Sequence, residues 1–196
     1  MEQDVSYENK TIESEAQQER RMIEMAQQNP AEFQHLFNKY FDPIFNYALR
    51  RTCDAHLADD VAATTFLKAF DQIKKFKWKG ISFSAWLYRI ATNEIAQVYR
   101  KTKRMIPLTS EVAVNLKDER SSDTALLEAE ELLARNEKFK QIYAALARLK
   151  IKYQTALTLR YFEEKSIKEI ASILNLSENT IKTHIRRGLK QLKEYL

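Results

Sequence analysis

Polar and basic side chains recur at helical spacing near the end of this 196-residue chain. In a helix from Ser177 to Leu192, one face would carry the aliphatic residues and the opposite face the bases. Lysine and arginine neutralise backbone phosphates, while asparagine and threonine hydrogen-bond base edges, so such a face suits DNA. The candidate contacts on this face are Ser177, Asn179, Thr180, Lys182, Thr183, Arg186, Arg187 and Lys190.

Two helices joined by a tight turn would position this face. Ser166 and Glu169 form the capping-box pattern that opens a helix, and Asn175 tolerates the left-handed conformation that ends one. Ser177 can then cap the next helix. We therefore predict a helix-turn-helix whose second helix presents the basic face, with His184 beside the core or a phosphate. An ordinary helical hairpin with a solvated basic face is the alternative interpretation.

A second group of residues suited to nucleic acid lies upstream, where the segment FKWKGISFSAW interleaves aromatic rings with lysines. An aromatic face stacks on an unpaired base and lysine binds the adjacent phosphates, so the combination suits single-stranded DNA. We expect Phe83 and Trp86 to close the core instead. The candidate contacts are Lys77, Trp78 and Lys79 in the loop, with Arg89, Asn93, Gln97 and Arg100 on one polar stripe of the following helix.

Composition and periodicity predict an all-α fold of two small helical domains joined by an acidic linker. The chain has 2 Gly, 3 Pro and apolar residues spaced three and four apart. We predict a polar extension over 1–28, a first domain over 29–104, a linker over 105–134 and a second domain over 135–196 that ends in the helix-turn-helix. The first twenty or so residues are expected to be frayed or only partly helical.

Within the first domain, a helix is predicted to begin after Asn29 and Pro30, a second to run over about 58–76 and a third over about 82–103. Their predicted core residues are Phe33, Leu36, Phe37, Tyr40, Val61, Phe66, Leu67, Phe70, Ile73, Leu87, Ile90, Ala91, Ile95 and Val98.

Charge and residue counts limit the function classes. The net charge is +5, with bases gathered in 74–79, in 99–104 and in the last helix, which favours an anionic partner. Asp59 and Asp60 form a tight acidic pair, but the three histidines are scattered and no cluster of His and acids suggests metal or acid-base chemistry, so an enzyme is not expected. The single cysteine, Cys53, predicts neither an internal disulfide nor a metal site. Without a membrane span or secretion signal, we expect a cytoplasmic protein that needs no cofactor.

Three segments in this order resemble a bacterial sigma factor of the extracytoplasmic-function group: DDVAATTFLKAF, FSAWLYRIATNEIAQVYRK and LTLRYFEEKSIKEIASILNLSENTIKTHIRRGLKQL. The resemblance implies a first domain (sigma region 2) that binds the polymerase clamp and the -10 promoter element. It implies a second domain (sigma region 4) that binds the -35 element. The implied partners are core RNA polymerase, through the clamp of its largest subunit and the flap region of its second subunit, and promoter DNA. The resemblance also implies an anti-sigma factor as a further partner.

The resemblance also implies roles for individual residues. The clamp contacts of the family match Asp59, Asp60, Thr64 and Leu67 in the helix DDVAATTFLKAF, although Ala63 and Thr64 replace the usual Gln and acid. The loop from Lys77 to Ser82 matches the segment that captures a flipped -10 base. Asn93 matches a contact near that base, and Gln97 replaces a commonly acidic residue.

The function implied is that of an alternative sigma factor, which directs bacterial RNA polymerase to specific promoters and helps to melt the -10 element. A stand-alone helix-turn-helix regulator that binds duplex DNA is the alternative. That interpretation leaves the segment WLYRIATN and the loop before it without a role.

Overall fold

The computed structural model of the chain describes residues 3–78, 81–105 and 137–196. These residues form eight α-helices and two short 3-10 helices, and they contain no β-strand, which confirms the predicted all-α fold. The α-helices are α1 (Gln3–Gln28), α2 (Phe33–Thr52), α3 (Ala55–Gln72), α4 (Phe83–Met105), α5 (Glu137–Arg148), α6 (Ile151–Tyr161), α7 (Ile167–Leu174) and α8 (Glu178–Tyr195). The 3-10 helices cover Pro30–Glu32 and Ile73–Lys75. The predicted linker lies mostly outside the described residues.

Helix α1 corrects the expectation of a frayed N-terminal segment, because it is continuous from Gln3 to Gln28. Ile23 and Ala26 are 4% and 0% exposed where α1 packs against α2. Glu19 is also buried and accepts a hydrogen bond from the hydroxyl of Tyr40 on α2. A few side chains one helical turn apart are enough to anchor a helix whose overall composition is polar.

The starts of α2 and α3 follow from local capping. Asn29 accepts a hydrogen bond from the amide of Ala31, and Pro30 stands at the first position of the 3-10 turn before α2, as predicted. The carboxylate of Asp54 accepts a hydrogen bond from the Leu57 amide at 2.9 Å, so α3 begins three residues earlier than predicted. Its C-terminal end, predicted as α-helix to residue 76, is instead the 3-10 turn Ile73–Lys75.

The core of the first lobe lies between α1, α2, α3 and α4. Predicted core residues that are buried include Phe33, Leu36, Val61, Phe66, Ile73, Leu87, Ala91 and Ile95. Tyr40, Ile90 and Val98 are half-buried. The prediction is wrong for Phe37, Leu67 and Phe70, which are 38%, 65% and 42% exposed. Val61 and Phe66 lie on the face of α3 that packs against the neighbouring helices. Leu67 and Phe70 lie further round α3, so their side chains stay at the surface.

The second lobe is built around α6, whose residues from Tyr153 to Leu159 are all buried. Helix α8 crosses α6 closely at Gly188. A Cβ atom at this position would lie 3.0 Å from Leu157 Cδ1 and 3.2 Å from Tyr153 Cβ. Glycine therefore permits the approach of the two backbones.

The two lobes pack against each other, which the sequence did not predict. Helix α6 contacts α2, and α7 contacts α4. Buried residues of the second lobe, Leu159, Ile170, Ile173 and Ile181, belong to the same apolar cluster as the first-lobe core.

Candidate nucleic-acid interface

Helices α7 and α8 form the predicted helix-turn-helix. Ser166 and Glu169 make both hydrogen bonds of a capping box, at 3.2 and 2.8 Å. Asn175 is left-handed, with φ 54° and ψ 47°, and ends α7. Ser177 Oγ then accepts a hydrogen bond from the Thr180 amide at 3.2 Å and caps α8. The turn and both caps are confirmed.

The predicted basic face of α8 lies at the surface of the protein. Its exposed members are Ser177, Asn179, Lys182, Arg186, Arg187 and Lys190, while Thr180 and Thr183 are half-buried. On the opposite side Ile181 and Gly188 are buried, Ile185 and Leu192 are half-buried, and Leu189 is 42% exposed. The buried face of α8 is therefore narrower than the predicted aliphatic face, because Leu189 lies at the surface.

Hydroxyl groups organise the N-terminal end of α8. Ser177 Oγ and Thr180 Oγ1 are 2.8 Å apart, and Thr183 Oγ1 donates to the carbonyl of Asn179 at 2.9 Å. These hydroxyls make hydrogen bonds within the N-terminal end of α8, whereas the side chains of Asn179 and Lys182 lie on its exposed face. The positive end of the helix dipole favours a phosphate at this position.

Two residues of α8, Arg187 and His184, lie next to Tyr153 of α6. The Arg187 guanidinium lies near the hydroxyl of Tyr153, and with the nearby charge of Lys152 it lowers the pKa of that hydroxyl. His184 lies edge-on to Tyr153, with ring centroids 5.6 Å apart and its Nδ1 buried. Burial, and then the charges of Lys152 and Arg187, lower the pKa of the His184 imidazole. Of the two surroundings predicted for His184, the core or a phosphate, the structure shows the core.

An aromatic cluster supports the upstream loop. The ring of Phe76 lies 4.9 Å from Trp86 and 5.5 Å from Phe83, which is fully buried. Phe83 and Trp86 thus belong to the core, as expected. Lys77 is exposed and Trp78 is 41% exposed, directly after the cluster. The predicted contact Lys79 lies outside the described residues.

Ser82 has a structural role at the start of α4. Its Oγ accepts a hydrogen bond from the Ala85 amide at 3.1 Å. Ser82 therefore fixes where the loop ends and the polar stripe of α4 begins.

The stripe on α4 faces two environments. Arg89 Nε donates to the carbonyl of Ile173 at 3.2 Å, and Arg89 Nη2 donates to the carbonyl of Ser172, both on α7. Asn93 is exposed and lines, with Arg89, a cleft of about 320 Å³ between the lobes. Further along α4, Gln97 donates to Glu94 at 3.1 Å and Arg100 is exposed.

The residues that match clamp contacts share the outer surface of α3. Asp59 and Asp60 are exposed and Thr64 is half-buried. Leu67 is 65% exposed and Phe70, one turn further on, is 42% exposed. Acidic groups at one end and apolar groups at the other give α3 a surface suited to binding a protein.

Glu163 is an interlobe residue that no motif predicted. Its side chain is 5% exposed, Oε1 accepts from Arg50 Nη1 at 2.7 Å, and Oε2 accepts from the Tyr88 hydroxyl at 2.6 Å. Burial, with the charge and hydrogen bond of Glu163, raises the pKa of Tyr88. Its partners are 113 and 75 residues away in sequence, so local pattern carries no signal for these contacts.

The described ranges hold neither a membrane-spanning helix nor a cluster of metal ligands. No helix among these residues is both long and apolar enough to cross a bilayer. The same residues hold no group of three or more His, Cys, Asp or Glu placed to bind a metal ion.

Known proteins resemble both lobes. The family model "Sigma-70 region 2" matches residues 36–105, and "Sigma-70, region 4" matches residues 139–192. The ECF RNA polymerase sigma factor SigW of Bacillus subtilis (strain 168) is 33% identical over 168 residues, which is 84% of this chain and 88% of SigW. The RNA polymerase sigma factor YlaC of the same organism is 33% identical over 159 residues, 81% of this chain and 88% of YlaC.

Two solved structures share the fold. RpoE in complex with the anti-sigma factor NepR from Bartonella quintana has a TM-score of 0.62 at 21% identity, covering 84% of this chain and 96% of that one. CnrH in complex with the cytosolic domain of CnrY has a TM-score of 0.62 at 20% identity, covering 90% of this chain and 95% of that one.

Two sigma-70 regions on an all-α fold define a subunit that gives RNA polymerase its promoter specificity. The chain belongs to the ECF sigma factors of the sigma-70 family. It is an alternative sigma factor that directs RNA polymerase in transcription initiation. Since the matches include the first lobe as well as the helix-turn-helix, the alternative of a stand-alone duplex-binding regulator is not favoured.

Proposed function

We propose that the two lobes read two separate promoter elements. The first domain, residues 29–104, would bind polymerase and the -10 element, and the second, residues 135–196, would bind the -35 element across a linker over 105–134. The observation that carries this proposal is the exposed face of α8 behind a correctly capped turn, with Asn179, Lys182, Arg186 and Lys190 open to solvent.

Helix α8 would enter the major groove of the -35 element. Lys182 and Lys190 suit phosphates because lysine acts as a point charge, and these contacts set the register of the helix on the duplex. Arg186 lies between them, one turn before Lys190, and its planar fork suits the O6 and N7 acceptors of a guanine. Asn179, at the N-terminal end of α8, suits an adenine.

The loop over 77–82 would capture an unpaired base of the -10 element. Trp78 is 41% exposed, beside the exposed Lys77, so a base can stack on the indole while the lysine binds its phosphate. Unstacking a base costs a few kcal/mol, and binding the extruded base recovers part of that cost. The lobe would therefore promote melting by binding alone, without catalysis.

The acidic and apolar surface of α3 would bind the polymerase clamp through Asp59, Asp60, Thr64 and Leu67. The second lobe would bind the flap region. RpoE was solved in complex with the anti-sigma factor NepR, and we propose an anti-sigma factor for this chain also. Such a subunit acts at the chromosome, so its expected place is the cytoplasm.

Footprinting tests this proposal. Core polymerase is mixed with a promoter selected from a random library, with and without the chain. We expect protection of two separated elements, and permanganate-reactive thymines in the downstream one, only when the chain is present. Equal protection by core polymerase alone would refute the proposal.

A further inference from the structure

Gln27, in the N-terminal helix, contacts the segment that leads into the predicted base-capture loop. Its Nε2 donates to the carbonyls of Ile73 at 3.0 Å and Phe76 at 2.8 Å. The amide nitrogen thus bridges the first residue of the 3-10 turn Ile73–Lys75 and the residue that directly follows it. Gln27 is half-buried, and the neighbouring side chain Ala26 is fully buried, so α1 is held firmly at this point.

Phe76 is fixed from two sides. Its ring packs on Phe83 and Trp86, and its carbonyl accepts the hydrogen bond from Gln27. The chain then continues directly into Lys77 and Trp78. The direction in which these two side chains leave the lobe depends on the Phe76 carbonyl, since backbone orientation at one residue sets the path of the next.

We propose that Gln27 is a positioning residue for capture of the -10 base, acting through the carbonyls of Ile73 and Phe76 on the loop that carries Trp78. This inference rests on the proposed role of that loop. The N-terminal segment, whose first twenty or so residues were expected to be frayed or only partly helical, is then part of the promoter-melting apparatus. Gln27 itself touches no DNA.

The test compares Gln27→Leu, which keeps the size and removes both donors, with Gln28→Leu, the adjacent exposed glutamine. The readout is binding of the reconstituted holoenzyme to a fluorescent single-stranded -10 oligonucleotide. We expect Gln27→Leu to bind about tenfold more weakly, because two hydrogen bonds that orient the loop are lost. Gln28→Leu should match the parent, and both variants should bind core polymerase and the -35 duplex normally.

A second readout reports on the loop without DNA. In a Trp86→Phe background, the emission of Trp78 should shift in Gln27→Leu and not in Gln28→Leu. Unchanged emission and unchanged oligonucleotide binding in Gln27→Leu would overturn the positioning role. Failure of the parent itself to bind the oligonucleotide would instead refute the proposed function of the loop. Equal losses of -10 and -35 binding would show general destabilisation and would also overturn the inference.

Discussion

Arg186 and Lys190 lie one turn apart on the exposed face of α8, yet the proposal gives them different roles. Arg186→Ala should cost roughly 1–3 kcal/mol on the preferred -35 sequence and relax the preference at one base pair. Lys190→Ala should weaken all sequences alike and make the salt dependence of binding shallower by about 0.9 in log affinity against log salt. Binding to a panel of -35 duplexes distinguishes these effects, and equal losses for both variants would remove the base-reading role of Arg186.

The exposed indole of Trp78 is expected to act after the duplex is bound. Trp78→Ala should leave the closed complex intact and reduce the permanganate reactivity of -10 thymines, because the base loses a stacking partner worth about 1–3 kcal/mol. Trp78→Phe, which keeps an aromatic face, should retain most of the reactivity. Parental reactivity in Trp78→Ala would show that the ring has no role in melting.

At the scale of the helix, the close crossing of α6 and α8 depends on Gly188. Gly188→Val should destabilise the protein by about 1–3 kcal/mol, since the added atoms would overlap Leu157 and Tyr153. Chemical denaturation measures the change. Leu189→Ala, at the neighbouring exposed position, should change stability little, and a similar loss in both variants would contradict the packing argument.

Capping and turn chemistry is local, which explains why the helix-turn-helix could be predicted closely. Ser166 with Glu169, Asn175 and Ser177 each act on backbone groups within four residues, and all are found as expected. Helix α1 could not be predicted in the same way. Its stability depends on burial of Ile23 and Ala26 against α2, which lies further along the chain.

The exposed residues of α3 show a second limit of sequence pattern. Periodicity places Leu67 and Phe70 near the inward stripe, but the number of neighbours around a helix decides how wide its buried face is. The same limit hides the interlobe contacts, since an arginine such as Arg89 looks equally suited to DNA and to the carbonyls it binds.

At the scale of the whole molecule, the contact between the lobes depends on Glu163, which binds Arg50 and Tyr88 of the first lobe. Glu163→Gln should separate the lobes, because it removes the charge that Arg50 binds. Spin labels at Asn38→Cys and Lys193→Cys, in a Cys53→Ser background, measure the distance between the lobes, and Glu164→Gln at the adjacent exposed residue is the control. Parental distances in Glu163→Gln would show that this ion pair does not hold the lobes together.

The central claim is that one chain directs polymerase by reading two elements with two lobes. Its most direct test is transcript mapping with reconstituted holoenzyme on a library randomised across both elements. We predict two enriched sequence blocks at fixed spacing, with Arg186→Ala altering only the upstream block and Trp78→Ala weakening only the downstream one. A single enriched block, or changes in both blocks from either substitution, would contradict the account.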